Sequence, residues 1–423
     1  MDLPKQKKCR IKDSYYYIIS SPVRISFFLL CIFSAAIVLF CYCNSYYEKN
    51  FYENILVECH GLLFDLLVIG VVLTYFTAKG DKETEIKQCK QELQTYKHDG
   101  SKEAINIKEK CIKILCSKYK ITDIDLSFCI LSEANLSSTP SEIIDLSHSN
   151  FSNATLTKVK FESAYLQNSN FNNAELKGAN LTNTHLQHSD FTDANLNEAN
   201  LTGARLEFSI FKNSKIERAF LINANMKEAK LQKVNLKSTE LNDADLTGAH
   251  INNSILDNVL LNNAKLQNSI IEKSNLNRSF LINANMKYAR LKDTSLQFVV
   301  LKNADLIDTK FGCADLNFAE FDENTDVKGA SFTGTILKNI STFHRVKNLT
   351  FDQLKDAYTI FNSKFNDDIS EEIDSLEKET NEISDKINNF DEDGNNPNSL
   401  LELEEQHKKN IIFLYGDYKD EDI

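Results

Sequence analysis

The side chains that could do chemistry in this sequence are scattered along it. Eight histidines and ten cysteines occur in 423 residues, with no Cys-x-x-Cys pair, no His-Glu-x-x-His, no Gly-x-Ser-x-Gly and no phosphate-binding glycine loop. His185 and His188 are neighbours, but no acid or cysteine joins them at metal-ligand spacing. Cys313 precedes the small residue Ala314 and is interpreted as a bystander. We therefore predict no catalytic residue, no metal, no cofactor and no enzymatic activity.

Asp65 is the one ionisable residue with a special setting, because it is the only charge in the apolar run 61–78. An ionisable group inside a membrane segment is by default a functional hypothesis, here a possible intramembrane polar site used in transport or sensing by an oligomerised hairpin. The alternative is that Asp65 lies about one helical turn from the outer interface and reaches water. The preceding apolar run carries no Lys or Arg to pair with it, which favours the second interpretation.

Two apolar runs predict a transmembrane hairpin. Residues 25–43 are 19 residues without a charge, about 28 Å of helix, enough to cross the hydrocarbon core. Residues 61–78 form the second predicted span, after a short external loop at 44–60. A signal peptide is disfavoured because the first run is long and no small-residue cleavage site follows it.

Lys and Arg residues set the predicted orientation. Six precede the first span within the basic N-terminus 1–24, the loop 44–60 holds only Lys49, and four follow the second span between Lys79 and Lys90. Both termini are therefore expected in the cytoplasm, in a multi-pass protein of the cell (inner) membrane with the lipid bilayer as a partner.

Residues 79–120 read as a helical connector. Ile86, Cys89, Leu93 and Tyr96 recur at helical spacing, and Ser101 is a plausible helix cap after a break. A signalling coiled coil and a stalk that covers the first turn of the next domain both fit. We favour the stalk.

A five-residue repeat decides the fold of the next segment. All 36 positions from 146 to 321 at this spacing are apolar, namely 24 Leu, 7 Phe, 3 Ile and 2 Met. Two residues before each centre from Phe151 onward lies Ala, Ser, Thr or Val. Neither a helix, with period 3.6, nor a strand, with period 2, explains this register. Five residues must instead form one side of a coil and turn a corner, with the centre and the small residue pointing inward.

These residues resemble the A-(D/N)-L-x-x consensus of the pentapeptide-repeat family, as in Ala194-Asn195-Leu196-Asn197-Glu198. The resemblance covers about half of the chain and implies a mainly β fold, a right-handed quadrilateral β-helix with four pentapeptides per coil. The β-helix is expected over 121–340. The 40 positions from 126 to 321 would make about ten coils. Similar two-span pentapeptide-repeat proteins occur in bacteria.

Three irregularities accompany the repeat. Ser141 occupies a centre position, where we expect a bulged or open side. One extra residue follows Phe321, either a functional loop or a tolerated corner insertion, and we favour the insertion. The segment from Phe220 to Lys227 recurs almost unchanged from Phe280 to Lys287, an offset of 60 residues that suggests duplication of three coils.

The C-terminal region 341–423 is predicted to be acidic and helical. A helix capped by Thr350 should close the β-helix, as similar segments do in the family. Residues from Ile369 to Ile387 then alternate at four- and three-residue steps, a short coiled-coil seam, and residues 400–415 predict one more helix. A solvated hairpin is favoured over a binding site for a basic partner, and oligomerisation through these helices or the transmembrane hairpin is possible.

Charge separates the function hypotheses. The net charge of −12 divides into +5 for 1–120, −5 for 121–340 and −12 for 341–423. Some family members resemble DNA and inhibit DNA gyrase, which requires continuous negative potential. The basic middle of this repeat argues against that interpretation and against nucleic acid as a partner. We predict a non-enzymatic membrane-anchored scaffold that presents a flat, polar face of the β-helix to an unidentified protein. A DNA-mimic gyrase interaction and transport or sensing by the hairpin are the alternatives.

Overall fold

The computed structural model describes residues 49–388 and 397–416. Two compact units meet in sequence between Lys90 and Gln91. The first predicted span, 25–43, lies outside the described residues, and the second lies within helix α1, Lys49–Thr95. Among the residues described, no helix combines the length and the hydrophobicity needed to cross a bilayer, so the predicted transmembrane hairpin is not supported.

The second unit begins with a helical cap over the first coil. Helix α2, Lys102–Lys113, has Ser101 as its N-cap, whose hydroxyl accepts a 3.2 Å hydrogen bond from the Ala104 N–H, as predicted. A π-helical turn, Ile114–Lys118, follows and buries Leu115 and Cys116. Burial raises the pKa of the Cys116 thiol to about 12, with a contribution from Asp145.

Lys108 is the largest side chain that this cap buries completely. Its ammonium group donates to the carbonyl of Asp99 at 2.7 Å and to the carbonyl of Ile130. Burial lowers the pKa of Lys108, and Cys129 and Asp99 oppose that shift. The side chain therefore ties the turn before α2 to the first coil. The predicted cover over the first turn is confirmed.

The repeat forms stacked coils paired in parallel, without continuous strands. From Asp145↔Tyr165 to Val300↔Glu320, each bridge joins residues 20 apart, and one residue in every five is bridged. Four sides of five residues therefore make one coil, as predicted. The expectation of a mainly β fold is corrected in one respect, since within the described residues each side is a single bridged residue between two turns. A side only five residues long cannot extend a ladder before it bends.

Hydrogen bonds explain why five residues suffice. In the unit 185–189, the N–H of His185 donates to the preceding coil, and the N–H groups of Leu186 and His188 donate to the following coil, at 2.8–3.0 Å. The N–H of Ser189 closes the corner on the carbonyl of Leu186 at 3.2 Å. His188 has φ +59°, so the corner uses the left-handed region. Four of the five N–H groups thus have backbone acceptors.

The interior consists of columns of identical positions. Phe151, Phe171, Phe191 and Phe211 stack with ring centroids 4.8–4.9 Å apart and planes within 4°. Most buried Ser and Thr hydroxyls of the repeat donate to a carbonyl 23 residues earlier, as Ser189 does to Leu166 at 2.8 Å. We number the four sides in chain order, each defined by its first inward residue. Side 1 starts at Leu146, side 2 at Phe151, side 3 at Leu156 and side 4 at Phe161.

Ser141 is not an inward position. The bridges Asp125↔Asn150 and Asn135↔Lys160 span 25 residues, whereas Asp145↔Tyr165 spans 20. Five residues are therefore looped out of the first coil, and Ser141 is exposed in that loop. The predicted open side is confirmed as a local feature of one corner.

The extra residue after Phe321 is absorbed at a corner, as favoured from the sequence. The carboxylate of Asp322 accepts from the N–H groups of Asn303, Asn324 and Thr325 at 2.8–3.1 Å and from the Thr325 hydroxyl at 2.9 Å. Burial alone would raise the pKa of Asp322, but these hydrogen bonds hold it below the usual value of 3.8. The register then resumes with bridges offset by 21 residues.

Bridging continues to Asp326↔Lys347 and Ile336↔Thr359, and helix α3, Phe351–Leu354, closes the last coil. Thr350 precedes α3, as predicted, but Gln353 makes the closure. Its amide nitrogen donates to the carbonyls of Val327 at 2.7 Å and Ala330 at 3.1 Å, and its oxygen accepts from the Thr350 backbone N–H at 2.9 Å.

The chain ends in the predicted helical hairpin, α4, Asp367–Asn388, and α5, Pro397–Tyr415. Asn410 donates to the Thr380 hydroxyl at 3.0 Å between the two buried side chains. The carbonyl of Phe413 accepts from the N–H of Ile360 at 2.8 Å, which joins the end of α5 to the last coil.

Candidate protein-binding surfaces

The residues singled out for chemistry do not assemble into a reactive site. His185 lies 4.4 Å from the Tyr165 ring, and His188 stacks on Phe208 at 5.0 Å. Burial and the Arg205 guanidinium lower the pKa of His185. Across the described ranges, no three His, Cys, Asp or Glu residues could hold a metal ion.

Two other candidates are simply exposed. Cys313 is a free, exposed cysteine at a corner. Asp65 is exposed on α1, and its proposed intramembrane role stays a prediction. The informative surfaces come from the repeat itself.

The residue before the inward centre can satisfy the one N–H of the unit that has no backbone acceptor. Where this residue is Asn or Asp, its side-chain oxygen accepts from the N–H two residues later. Asp190 accepts from Thr192 at 2.9 Å, and Asn180 accepts from Thr182 at 3.1 Å. This local turn is a physical reason for the Asn or Asp in the repeat.

That Asn or Asp disappears from two opposite sides in the later coils. Side 1 largely keeps it, at Asn225, Asp245, Asn285 and Asp305, and side 3 keeps it at Asn235, Asn275 and Asp315. Sides 2 and 4 have none of it between positions 210 and 320. Side 2 carries Ile210, Lys230, His250, Ile270, Arg290 and Lys310, and side 4 carries Phe220, Glu240, Leu260, Phe280, Val300 and Glu320.

Side 4 consequently presents an apolar surface. Phe220 and Phe280 are 42% and 41% exposed, and at the corner leading into this side Phe298 and Phe318 are 46% and 43% exposed. The latter two rings stack at 4.9 Å. We define the apolar surface as Phe220, Ile222, Leu260, Phe280, Ile282, Phe298, Val300 and Phe318.

Phe220, Phe298 and Phe318 are unfavourable for the local backbone. No residue in the described part of the chain accepts from the N–H of Ile222, two residues after Phe220. Asn262 of the preceding coil does this for Ile282 at 3.1 Å. Phe298 and Phe318 have φ +57° and +59°, where a bulky side chain is strained.

Charges of both signs surround the apolar surface. Glu240 lies in the column between Phe220 and Leu260, Glu320 ends this column, and the Arg278 guanidinium lies 6.0 Å from the centre of the Phe298 ring. Lys302 is the basic residue within side 4 over this stretch, and it pairs with Glu320 at 2.8 Å.

The expectation of a flat, polar face is therefore wrong for side 4. The available signal was that Phe, Leu and Val stand at positions where the consensus has Asn or Asp. This signal is visible only when units 20 residues apart are compared, because such units lie on the same side, as Phe220, Leu260 and Phe280 do.

Family comparisons agree with this geometry. A model of the pentapeptide repeat region matches residues 144–221, and a model of pentapeptide repeats matches 210–243, 239–278 and 300–339. Residues 144–278 and 300–339 are therefore pentapeptide repeats. A comparison with curated proteins finds no match.

Solved pentapeptide-repeat structures are similar over part of the chain. HetL from the cyanobacterium Nostoc, involved in heterocyst differentiation regulation, is 25% identical, with 52% of this chain and 84% of HetL covered at a TM-score of 0.33. QnrB1, a plasmid-mediated fluoroquinolone resistance protein, is 16% identical, with 42% and 88% covered at 0.31. Rfr23 from the cyanobacterium Cyanothece is 24% identical, with 25% and 63% covered at 0.20.

Proposed function

We propose that this pentapeptide-repeat protein is a non-enzymatic scaffold that holds a protein partner on side 4. The apolar surface carries the proposal. Phe220, Phe280 and Val300 replace the consensus Asn or Asp, Phe220 leaves the N–H of Ile222 without an acceptor in the described residues, and Phe298 and Phe318 are bulky residues at positive φ, so these side chains do not serve the local backbone. Clusters of exposed apolar residues beside polar residues are typical of protein-binding surfaces, and aromatic residues dominate the binding energy there.

The chemistry of the surface suggests the kind of partner. Phe220 and Glu320 are five coils apart, roughly 24 Å at a coil spacing of about 4.8 Å. A helix of about 16 residues has this length at about 1.5 Å per residue. The apolar surface favours an amphipathic helix that packs its apolar face on side 4.

Photo-crosslinking in cells tests this proposal. A photoreactive residue at position 260, on side 4, should crosslink to a defined partner, whereas one at position 255, on side 3, should not. The double variant Phe280→Ser, Phe298→Ser should abolish the crosslink at 260. The control Ile255→Ser, Tyr288→Ser removes two residues that are 46% and 55% exposed elsewhere and should preserve it. Equal crosslinking by both variants would refute the proposal.

We further propose attachment to the cytoplasmic membrane, with the solenoid and both termini in the cytoplasm. The uncharged run 25–43 and the distribution of Lys and Arg support this. Exposed apolar side chains on α1, such as Leu73 at 62% and Phe76 at 62%, are compatible with it. A reporter fused after Ile423 should be active only if it functions in the cytoplasm, and alkaline carbonate should leave the protein in the membrane pellet. Release by carbonate would contradict membrane integration.

The alternatives have less support. A DNA mimic needs continuous negative potential, and side 2 carries seven basic residues between positions 212 and 310. Inhibition of gyrase supercoiling by the purified protein would revive that hypothesis. Transport through Asp65 predicts that Asp65→Asn changes ion flux in vesicles, and oligomerisation through the helices is untested.

A further inference from the structure

Charge is segregated between opposite sides of the solenoid, although the repeat as a whole is nearly balanced. Side 2 and the corner that follows it carry seven basic residues over positions 210–313, against the two acids Glu272 and Asp293. Six of the seven form what we call the lysine surface: Lys212, Lys230, Lys233, Lys273, Lys292 and Lys310.

These lysines are exposed and make no ion pair within the described residues. On side 2 only Arg290 pairs, with Glu272 at 2.6 Å. Elsewhere lysines pair with acids on an adjacent coil, as Lys287 does with Asp305 at 2.9 Å and Lys227 with Asp245 at 3.3 Å. The charge of these six lysines is therefore not neutralised by ion pairs within the described residues.

The lysine surface also departs from the repeat consensus. Lys230 and Lys310 stand at the position where Asn or Asp would accept the N–H two residues later. Two half-buried isoleucines, Ile210 and Ile270, occupy the same column. The surface is thus a flat strip of basic and aliphatic side chains, roughly 24 Å long from position 210 to 310 at about 4.8 Å per coil.

We propose that side 2 binds the anionic headgroups of a phospholipid membrane surface. Lysine is depleted from protein–protein interfaces, whereas arginine, with its planar bidentate donors, is enriched there. Lysine is a flexible point charge suited to headgroups in no fixed geometry. Each basic residue near an anionic bilayer contributes about 1 kcal/mol, and short aliphatic side chains tolerate the interface. This proposal is independent of the partner on side 4.

The test is lysine footprinting of the full chain mixed with vesicles. Acetylation of each lysine is measured by mass spectrometry with phosphatidylcholine vesicles alone and with vesicles that contain phosphatidylglycerol. The six lysines of side 2 should be labelled at least about threefold less with the anionic vesicles, and 0.5 M salt, which shortens the Debye length to about 4 Å, should remove the protection. Lys158, Lys215 and Lys237 on side 3 and its corner should be labelled equally. Attachment through residues 1–90 that is the same with both lipids does not contribute to the difference in labelling between them.

Charge reversal gives the second measurement. The triple variant Lys230→Glu, Lys233→Glu, Lys310→Glu should weaken binding to anionic vesicles at least about 100-fold, from about 1 kcal/mol for each lysine. The control Lys158→Glu, Lys215→Glu, Arg218→Glu makes the same charge change on side 3 and its corner and should weaken binding less than about tenfold.

Equal labelling with both lipids would overturn the proposal. Protection by polyglutamate or duplex DNA without protection by anionic vesicles would also overturn it and assign the surface to an acidic protein or to nucleic acid.

Discussion

At the scale of the residue, each position of the five has its own physical requirement. The centre fills the interior, the small residue two before it lines the corner, and Asn or Asp between them accepts the N–H that the backbone leaves free. Phe220 breaks the last requirement, and the N–H of Ile222 has no acceptor in the described ranges. A residue that is unfavourable for the local backbone indicates a role other than stability.

Replacing that residue should therefore separate stability from binding. Phe220→Asn restores an acceptor for Ile222, and we expect the free energy of unfolding to change by less than about 0.5 kcal/mol or to rise by up to about 1 kcal/mol. Crosslinking through side 4 should fall. Urea denaturation measures the first effect. The control Phe191→Asn, inside the stack, should lose more than about 3 kcal/mol. A comparable loss in Phe220→Asn would show that Phe220 serves the fold.

Asp322 gives a pH-dependent expectation at the same scale. Its folded pKa is held below 3.8 by hydrogen bonds, so its contribution is complete above the unfolded value and is lost as pH falls through the folded value. Asp322→Asn removes this titration. The stability difference between wild type and Asp322→Asn should shrink as pH falls from about 5 to about 2. Asp293→Asn removes a corner carboxylate without a hydrogen bond in the described residues and serves as the control for the loss of a corner charge. A constant difference for Asp322→Asn would contradict the assignment.

At the scale of the element, the ends of the coil stack need separate solutions because neither end has a neighbouring coil. Lys108 supplies donors to carbonyls at the first end, and Gln353 supplies them at the last. Both are long polar side chains that reach across an end, and neither is identified as a cap by hydrophobic periodicity. The sequence predicted the helices of both caps, through Ser101 and Thr350, but it did not indicate which side chains bind the coils.

Removing the Gln353 amide should destabilise the last coil. Gln353→Ala leaves the carbonyls of Val327 and Ala330 without that donor, and we expect a loss of about 1–3 kcal/mol in the free energy of unfolding. Hydrogen exchange should rise first between positions 327 and 360. Gln232→Ala, on side 2, has no comparable contacts and should cost less than about 0.5 kcal/mol. Unchanged exchange near the C-terminal end would rule out the proposed capping role.

At the scale of the whole molecule, the five-residue register and the 20-residue coil are separate constraints. The register was predictable because an interior lined by Leu and Phe tolerates no slip. The position of Ser141 was ambiguous, since a loop of five residues within a coil preserves the five-residue register and assigns every later unit to a different side. The apolar surface and the lysine surface were missed for the same reason, because they depend on the period of 20 and not on the period of five.

Deletions can test this distinction. Removing residues 220–279 takes out 60 residues, joins Ala219 to Phe280 and keeps both periods, so the protein should fold with side 4 continuous. Removing residues 220–269 takes out 50 residues and keeps only the shorter period. It should also fold, but Phe280 would then stand in line with side 2 of the coils that precede the deletion. Removing 57 residues breaks both periods and should prevent cooperative folding, as measured by circular dichroism. Failure of the 60-residue deletion to fold would contradict the modular coil.

The parallel stacking of identical coils has a consequence for solubility. Each coil ends in a ring of backbone donors and acceptors that another copy of the same coil could satisfy, so a bare end is a template for unlimited end-to-end growth. The caps that contain Lys108 and Gln353, together with the docking of α5 through Phe413, close those ends with groups that no second coil can match. The helices at the two ends thus also prevent the end-to-end association that bare coils would allow, and so they prevent growth into fibres.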